Sequence, residues 1–128
     1  MPSRPLSPHL SVYKFKYTLT TSILNRFTGL GLSLGLFALV YWLVAVAAGA
    51  ATQQRAQRLL GLPLVKLIMA AFVFAFCYHL LAGIRHLIWD TGRGLERVQS
   101  QRSAWLIVIL SVLLSFALGY GFWHGRPA

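Results

Sequence analysis

A chain of 128 residues that is 57% apolar yet carries a net charge of +10 is no ordinary soluble domain, because its charges are kept apart from its apolar runs. The basic excess forms no stripe interleaved with base-stacking aromatics, which argues against a nucleic-acid binder and for anchoring at a membrane surface. The single cysteine, Cys77, excludes an internal disulfide and any cysteine-based metal cluster.

Residues 1–17 form an arm in which Pro2, Pro5 and Pro8 deny a helix its hydrogen bonds, so an extended segment ordered by a partner is expected. In Val12-Tyr13-Lys14-Phe15-Lys16-Tyr17 aromatics alternate with lysines, which suits the headgroup zone; a short strand is the other reading. No short apolar core with a small-residue cleavage site opens the chain, so no leader is expected to be removed.

Three apolar stretches follow. Phe27 to Gln54, Leu67 to Ile84 and Ser103 to Gly125 hold no Lys, Arg, Asp or Glu, and each is about as long as a helix needs to cross a bilayer core. The expectation is an all-α integral membrane protein, one membrane-anchor domain over 1–128, with transmembrane helices at about 21–50, 63–89 and 104–124. Threonines between Thr18 and Thr21 can cap the first of them. On it Ser22, Arg26, Gly29 and Ser33 share one stripe, placing a hydroxyl and a guanidinium at the mouth of a groove lined by small residues. A snorkelling arginine above a helix-packing face has the same spacing. Ala48 to Leu62, with its glutamines and arginines before Pro63, reads as a connecting loop, and Asp90 to Arg102 as an exposed polar loop. Lys66 is expected to snorkel outward, and the third helix reads as structural.

The second helix carries the anomaly. In Cys77-Tyr78-His79-Leu80-Leu81-Ala82-Gly83-Ile84-Arg85-His86-Leu87-Ile88-Trp89-Asp90, four ionisable groups sit in or beside a lipid-embedded segment, where such groups are expensive and mark working sites. His79, Gly83, His86 and Asp90 follow i, i+4, i+7, i+11 and share a stripe that Phe72 and Phe76 extend, while Arg85 falls off it. Imidazole, a side-chain gap and flanking aromatics suit a flat macrocycle with a central metal. The same spacing is met by a histidine that hydrogen-bonds a neighbouring helix and a glycine at a helix contact. His86 has a plainer reading too, as a partner for Asp90 at i, i+4 in the headgroup zone.

Basic residues set the orientation. The arm with Arg26 carries four Lys or Arg and the Asp90 loop three, against two in the first loop and one in the C-terminal tail, which puts the N-terminus inside and the C-terminus outside. His79 then lies about 15 Å from the inner end of its helix, near mid-membrane.

With these residues placed, the chain resembles the cytochrome b subunit of succinate dehydrogenase, the larger of the two small membrane anchors of respiratory complex II. The resemblance rests on Arg4-Pro5-Leu6-Ser7-Pro8-His9-Leu10, on Ser22-Ile23-Leu24-Asn25-Arg26-Phe27-Thr28-Gly29, and on Tyr78-His79 followed by Gly83-Ile84-Arg85-His86-Leu87-Ile88-Trp89-Asp90, in the family's order. It implies that His79 ligates the iron of haem b, that Ser22 and Arg26 contribute to the ubiquinone pocket, and that Arg26 and its polar neighbours lie near the haem propionates. Asn25, as a polar neighbour of Arg26, joins the haem environment on the same ground; Gly83 and His86 join it from their place on the second-helix stripe, and Asp90, from its position at the inner end of that helix, is read as a proton relay, as orienting His86, or as a structural pair. The family commonly has histidine where this chain has Asn25; an amide donates a hydrogen bond but carries no proton in the physiological range.

A six-coordinate haem between helices needs two axial ligands at similar depth, and His9, His86 and His124 are each misplaced for that. The second histidine must come from another subunit, as the resemblance also implies. The expected function is a haem b and quinone-site anchor of succinate:ubiquinone oxidoreductase in a bacterial inner membrane, beside a second small anchor, an iron-sulfur subunit and a flavoprotein subunit. Succinate oxidation belongs to the other chains, since this one has no dinucleotide fingerprint and no cysteine cluster. The alternative is a haem-free structural or assembly subunit. A stand-alone transporter is disfavoured, because three spans offer no internal repeat.

Overall fold

In the computed structural model the backbone is described for residues 17–124 and side-chain surroundings for residues 19–121. The arm, with its Pro-rich and aromatic-lysine motifs, and the C-terminal tail lie outside the described residues. Four helices follow in order: α1 (Tyr17–Ala47), α2 (Ala50–Leu60), α3 (Pro63–Asp90) and α4 (Arg97–His124). The described residues form no strand. Three of the helices, α1, α3 and α4, are long and apolar enough to cross a membrane, which makes the chain an all-α integral membrane protein.

Three boundaries differ from the sequence-based expectation. Helix α1 starts at Tyr17 and stops at Ala47, so Thr18 to Thr21 lie within its first turns rather than ahead of them. Gly49, at φ 101°, then turns the chain into α2, a conformation that side chains with a Cβ rarely adopt. The stretch read as a loop is largely α2. Ala50, Ala51, Gln53, Gln54, Arg55, Ala56, Gln57 and Arg58 are mostly good helix formers with no proline before Pro63, and polar composition alone hid this. Ala56 is fully buried, while Arg55 and Arg58 are exposed. Pro63 opens α3 at its first turn, where its missing N–H costs nothing.

Helix α4 begins at Arg97, two turns before the apolar stretch that announced it. Its added turns are tied to α3 across the helix pair. Arg85, 8% exposed, points at α4 and donates from Nε to Ser103 Oγ (2.9 Å) and from Nη2 to the Ser100 carbonyl (2.7 Å) and Ser100 Oγ (3.1 Å). Its guanidinium also lies 3.9 Å from the Trp89 ring centroid. A charge at a membrane boundary is thus satisfied by serines that only a helical 97–103 brings into reach. Trp89 in turn donates from Nε1 to the Gly94 carbonyl (3.1 Å), and Gly92 and Gly94 take left-handed φ values to close the short connection. Replacing Arg85 with Ala removes three charge-assisted bonds and the ring contact, so a loss of about 2–4 kcal/mol is expected, read as a lower melting temperature of the detergent-solubilised complex. Arg85→Lys should recover only part of it, because an ammonium lacks the planar fork.

Helix α3 is the one on which the others converge, packing against both α1 and α4. The buried core is small: Tyr78, Ala82 and Ile107, with Leu24, Phe74, Leu81 and Val108 against them. Small residues let α1 and α3 approach, as membrane helices require when burial in lipid supplies no drive. A Cβ at Gly35 would stand 3.1 Å from the Phe72 ring, so that ring packs closely on α1. Phe76 is 53% exposed. The two aromatics read as one stripe therefore diverge, Phe72 into the α1 contact and Phe76 away from the chain.

Candidate functional site

The antiparallel packing of α1 on α3 brings the first three turns of α1 against Tyr78 and His79. Tyr78, 1% exposed, donates its hydroxyl to the Thr21 carbonyl (3.0 Å) and fixes the relative height of the helices. One residue on, His79 faces Asn25, Thr28 and Gly29. Its Nδ1 lies 3.2 Å from the Asn25 carbonyl oxygen and 3.5 Å from Thr28 Oγ1. A carbonyl can only accept, so Nδ1 carries the hydrogen and Nε2 keeps its lone pair. Gly29 makes the slot: a Cβ there would stand 3.0 Å from His79 Cε1, 3.5 Å from Nδ1 and 3.8 Å from Nε2. A ligand-ready imidazole of this kind, oriented through its other nitrogen by a backbone carbonyl, is the usual preparation for binding a metal.

Beside it on α3, a Cβ at Gly83 would meet nothing within 4 Å, so the surface one turn from His79 is open. The half-buried side chain of Asn25 holds a buried Oδ1 with no hydrogen-bond partner among the described residues. Imidazole and open backbone are compatible with a large planar group held at this face.

The other predicted residues are placed as follows. Ser22 is half-buried and Arg26 exposed, about 100° round α1 from the stripe of Thr21, Asn25 and Thr28 that faces α3. The hydroxyl and guanidinium therefore flank the His79 slot without entering it. Ser33 bonds back to the Gly29 carbonyl (3.1 Å). His86 is exposed and set edge-on to Trp89, with centroids 5.2 Å apart at 84°, and among the described residues it makes no ion pair with Asp90. Asp90 itself is exposed at the end of α3. The i, i+4 pairing considered for these two is not formed.

Sequence reasoning missed Thr28, the Asn25 carbonyl, and Arg85 with its serines. Thr21, Asn25 and Thr28 recur at i, i+4, i+7, a second polar stripe beside that of Ser22 and Arg26, and that spacing could have revealed the face of α1 that meets His79.

The family model of the succinate dehydrogenase/fumarate reductase transmembrane subunit matches residues 1–118. The chain belongs to that family. Relatives include the succinate dehydrogenase cytochrome b556 subunit of Rickettsia prowazekii, 37% identical over 115 residues that cover 90% of each chain. The b556 subunit of Paracoccus denitrificans is 39% identical over 113 residues, 88% of this chain and 87% of that one. The mitochondrial cytochrome b560 subunit of Bos taurus is 39% identical over 118 residues, 91% of this chain and 70% of the relative. Within the family the slot around His79 and the polar pair beside it acquire a chemical context.

Proposed function

We propose that this chain is the haem b-binding, quinone-site anchor of a succinate:ubiquinone oxidoreductase, passing electrons from succinate oxidation on other chains to ubiquinone. The observation that carries the reading is the His79 slot: Nδ1 donates to the Asn25 carbonyl and so leaves the Nε2 lone pair free for a metal. Haem b, when bound, would supply one-electron storage. His79 would hold the iron from this chain, together with a histidine of a second small anchor. Gly83 would leave room for the group, and Asn25, Arg26 and His86 would belong to its surroundings. Ser22 and Arg26 bind the quinone head, the hydroxyl donating to a carbonyl oxygen and the guanidinium stabilising the negative charge of reduction. Asp90, exposed at the end of α3, would exchange protons with solvent.

The basic residues supply the orientation, with the N-terminus and the α3–α4 connection on the cytoplasmic side of a bacterial inner membrane and the C-terminus in the periplasm. Arg93, Arg97 and Arg102, all exposed, lie on that inner side, where the iron-sulfur and flavoprotein subunits deliver electrons. The test compares two preparations by reduced-minus-oxidised spectroscopy. The purified complex should show a low-spin b-type haem, and this chain purified alone should not hold it at full occupancy, because one of the two ligands is missing. A complex without haem makes the chain a structural anchor, and a fully occupied six-coordinate haem in the isolated monomer defeats the two-chain site.

A further inference from the structure

We infer that Thr28 is a positioning residue for His79: its hydroxyl, together with the main-chain carbonyl of Asn25, surrounds Nδ1–H with acceptors and thereby sets how strongly Nε2 donates to a metal. The inference rests on the reading of His79 as an axial ligand and goes beyond it in naming what tunes that ligand.

Thr28 is 7% exposed, on the face of α1 that meets α3. Its Oγ1 lies 2.9 Å from the Leu24 carbonyl, 2.9 Å from the Asn25 carbonyl and 3.5 Å from His79 Nδ1. A hydroxyl has one hydrogen to give. In a helical threonine it goes to a carbonyl three or four residues back, here Asn25 or Leu24, which in either case leaves the oxygen lone pairs for the imidazole N–H. The Asn25 carbonyl is already the acceptor for the helix's own N–H at Gly29, so it meets the imidazole with reduced capacity. Thr28 supplies the second acceptor. Gly29 permits the approach, since any Cβ there would press on Cε1 at 3.0 Å.

The opposite tautomer is disfavoured by the Asn25 carbonyl, which can only accept. With hydrogen on Nε2, the Nδ1 lone pair would face the carbonyl oxygen of Asn25 with no proton between them. Acceptors around Nδ1–H raise the electron density of the ring, making the bound imidazole a better donor to ferric than to ferrous iron. Removing one of them should reverse that bias.

The experiment uses the assembled complex and reads haem content, the haem midpoint potential and the low-spin electron paramagnetic resonance signal. Thr28→Val, which keeps the shape and drops the hydroxyl, should retain haem, shift the midpoint potential upward and move the resonance positions; Thr28→Ser should return both to the wild-type values. Unchanged potential and resonance in a fully loaded Thr28→Val complex would overturn the inference while leaving His79 as ligand, which His79→Ala tests separately. Where Thr28→Val loses haem, Thr28→Ser decides. Native haem and potential in that variant assign the effect to the hydroxyl, and an equal loss assigns it to the methyl group and overturns the inference.

Discussion

His79→Ala is expected to abolish the low-spin haem spectrum of the complex, while His86→Ala leaves it in place. The asymmetry follows from what each imidazole touches. His79 is half-buried, its Nδ1 is held by the Asn25 carbonyl at 3.2 Å, and Gly29 gives the ring a fitted slot, so Nε2 is presented in one orientation. A methyl group in its place leaves the Asn25 carbonyl and the Thr28 hydroxyl with no imidazole and the metal with no ligand from this chain. His86 is exposed and leans its edge on Trp89, a contact of about 1 kcal/mol that another side chain can replace. Loss of one of two ligands ends the six-coordinate low-spin state, whereas loss of a supporting contact typically costs about 10–100-fold in affinity. The measurement is haem per assembled complex together with the spectrum. A native low-spin spectrum in His79→Ala, or its disappearance in His86→Ala alone, would refute the assignment.

How much of this was legible in the sequence depends on the kind of signal. Three charge-free stretches the length of a bilayer core left little choice about α1, α3 and α4, because lipid tolerates almost nothing else. Polar stretches were read less well, since the rule that equates polarity with loops fails where good helix formers run without proline, as in α2. The first two turns of α4 were missed for a different reason. There the helix is joined to α3 by Arg85, which reaches Ser100 and Ser103, and a contact between residues 15 and 18 positions apart has no local periodicity.

The site shows the same division. His79 stood out by its chemistry, as an imidazole in an apolar helix. Its orientation did not, because the group that fixes it is a main-chain carbonyl, and every residue has one. Phe72 and Phe76 show the limit of stripe arguments: four residues apart on α3, one covers Gly35 and the other faces outward. Only the crossing of α1 over α3 separates them.

The second large effect concerns the quinone. Arg26→Leu should lower succinate-dependent quinone reduction by about a hundredfold, the typical consequence of removing a fixed donor from a site where charge develops. Ser22→Ala should lower it by about tenfold, the equivalent of one neutral hydrogen bond. Oxidation of succinate by an artificial soluble acceptor should stay near the wild-type rate in both, because that acceptor bypasses the membrane. The pair lies one turn apart on α1, Ser22 half-buried and Arg26 exposed, turned from the α3-facing stripe toward space that this chain leaves open. A benzoquinone head needs donors at its carbonyl oxygens and a cation that strengthens as the ring gains charge, more so where water is scarce. Should the Arg26 guanidinium also meet a haem propionate, some haem disturbance is expected in Arg26→Leu, so Ser22→Ala is the cleaner variant. Equal loss of both activities in correctly assembled Ser22→Ala enzyme would make this stripe a structural one, and the quinone would have to be sought against another chain.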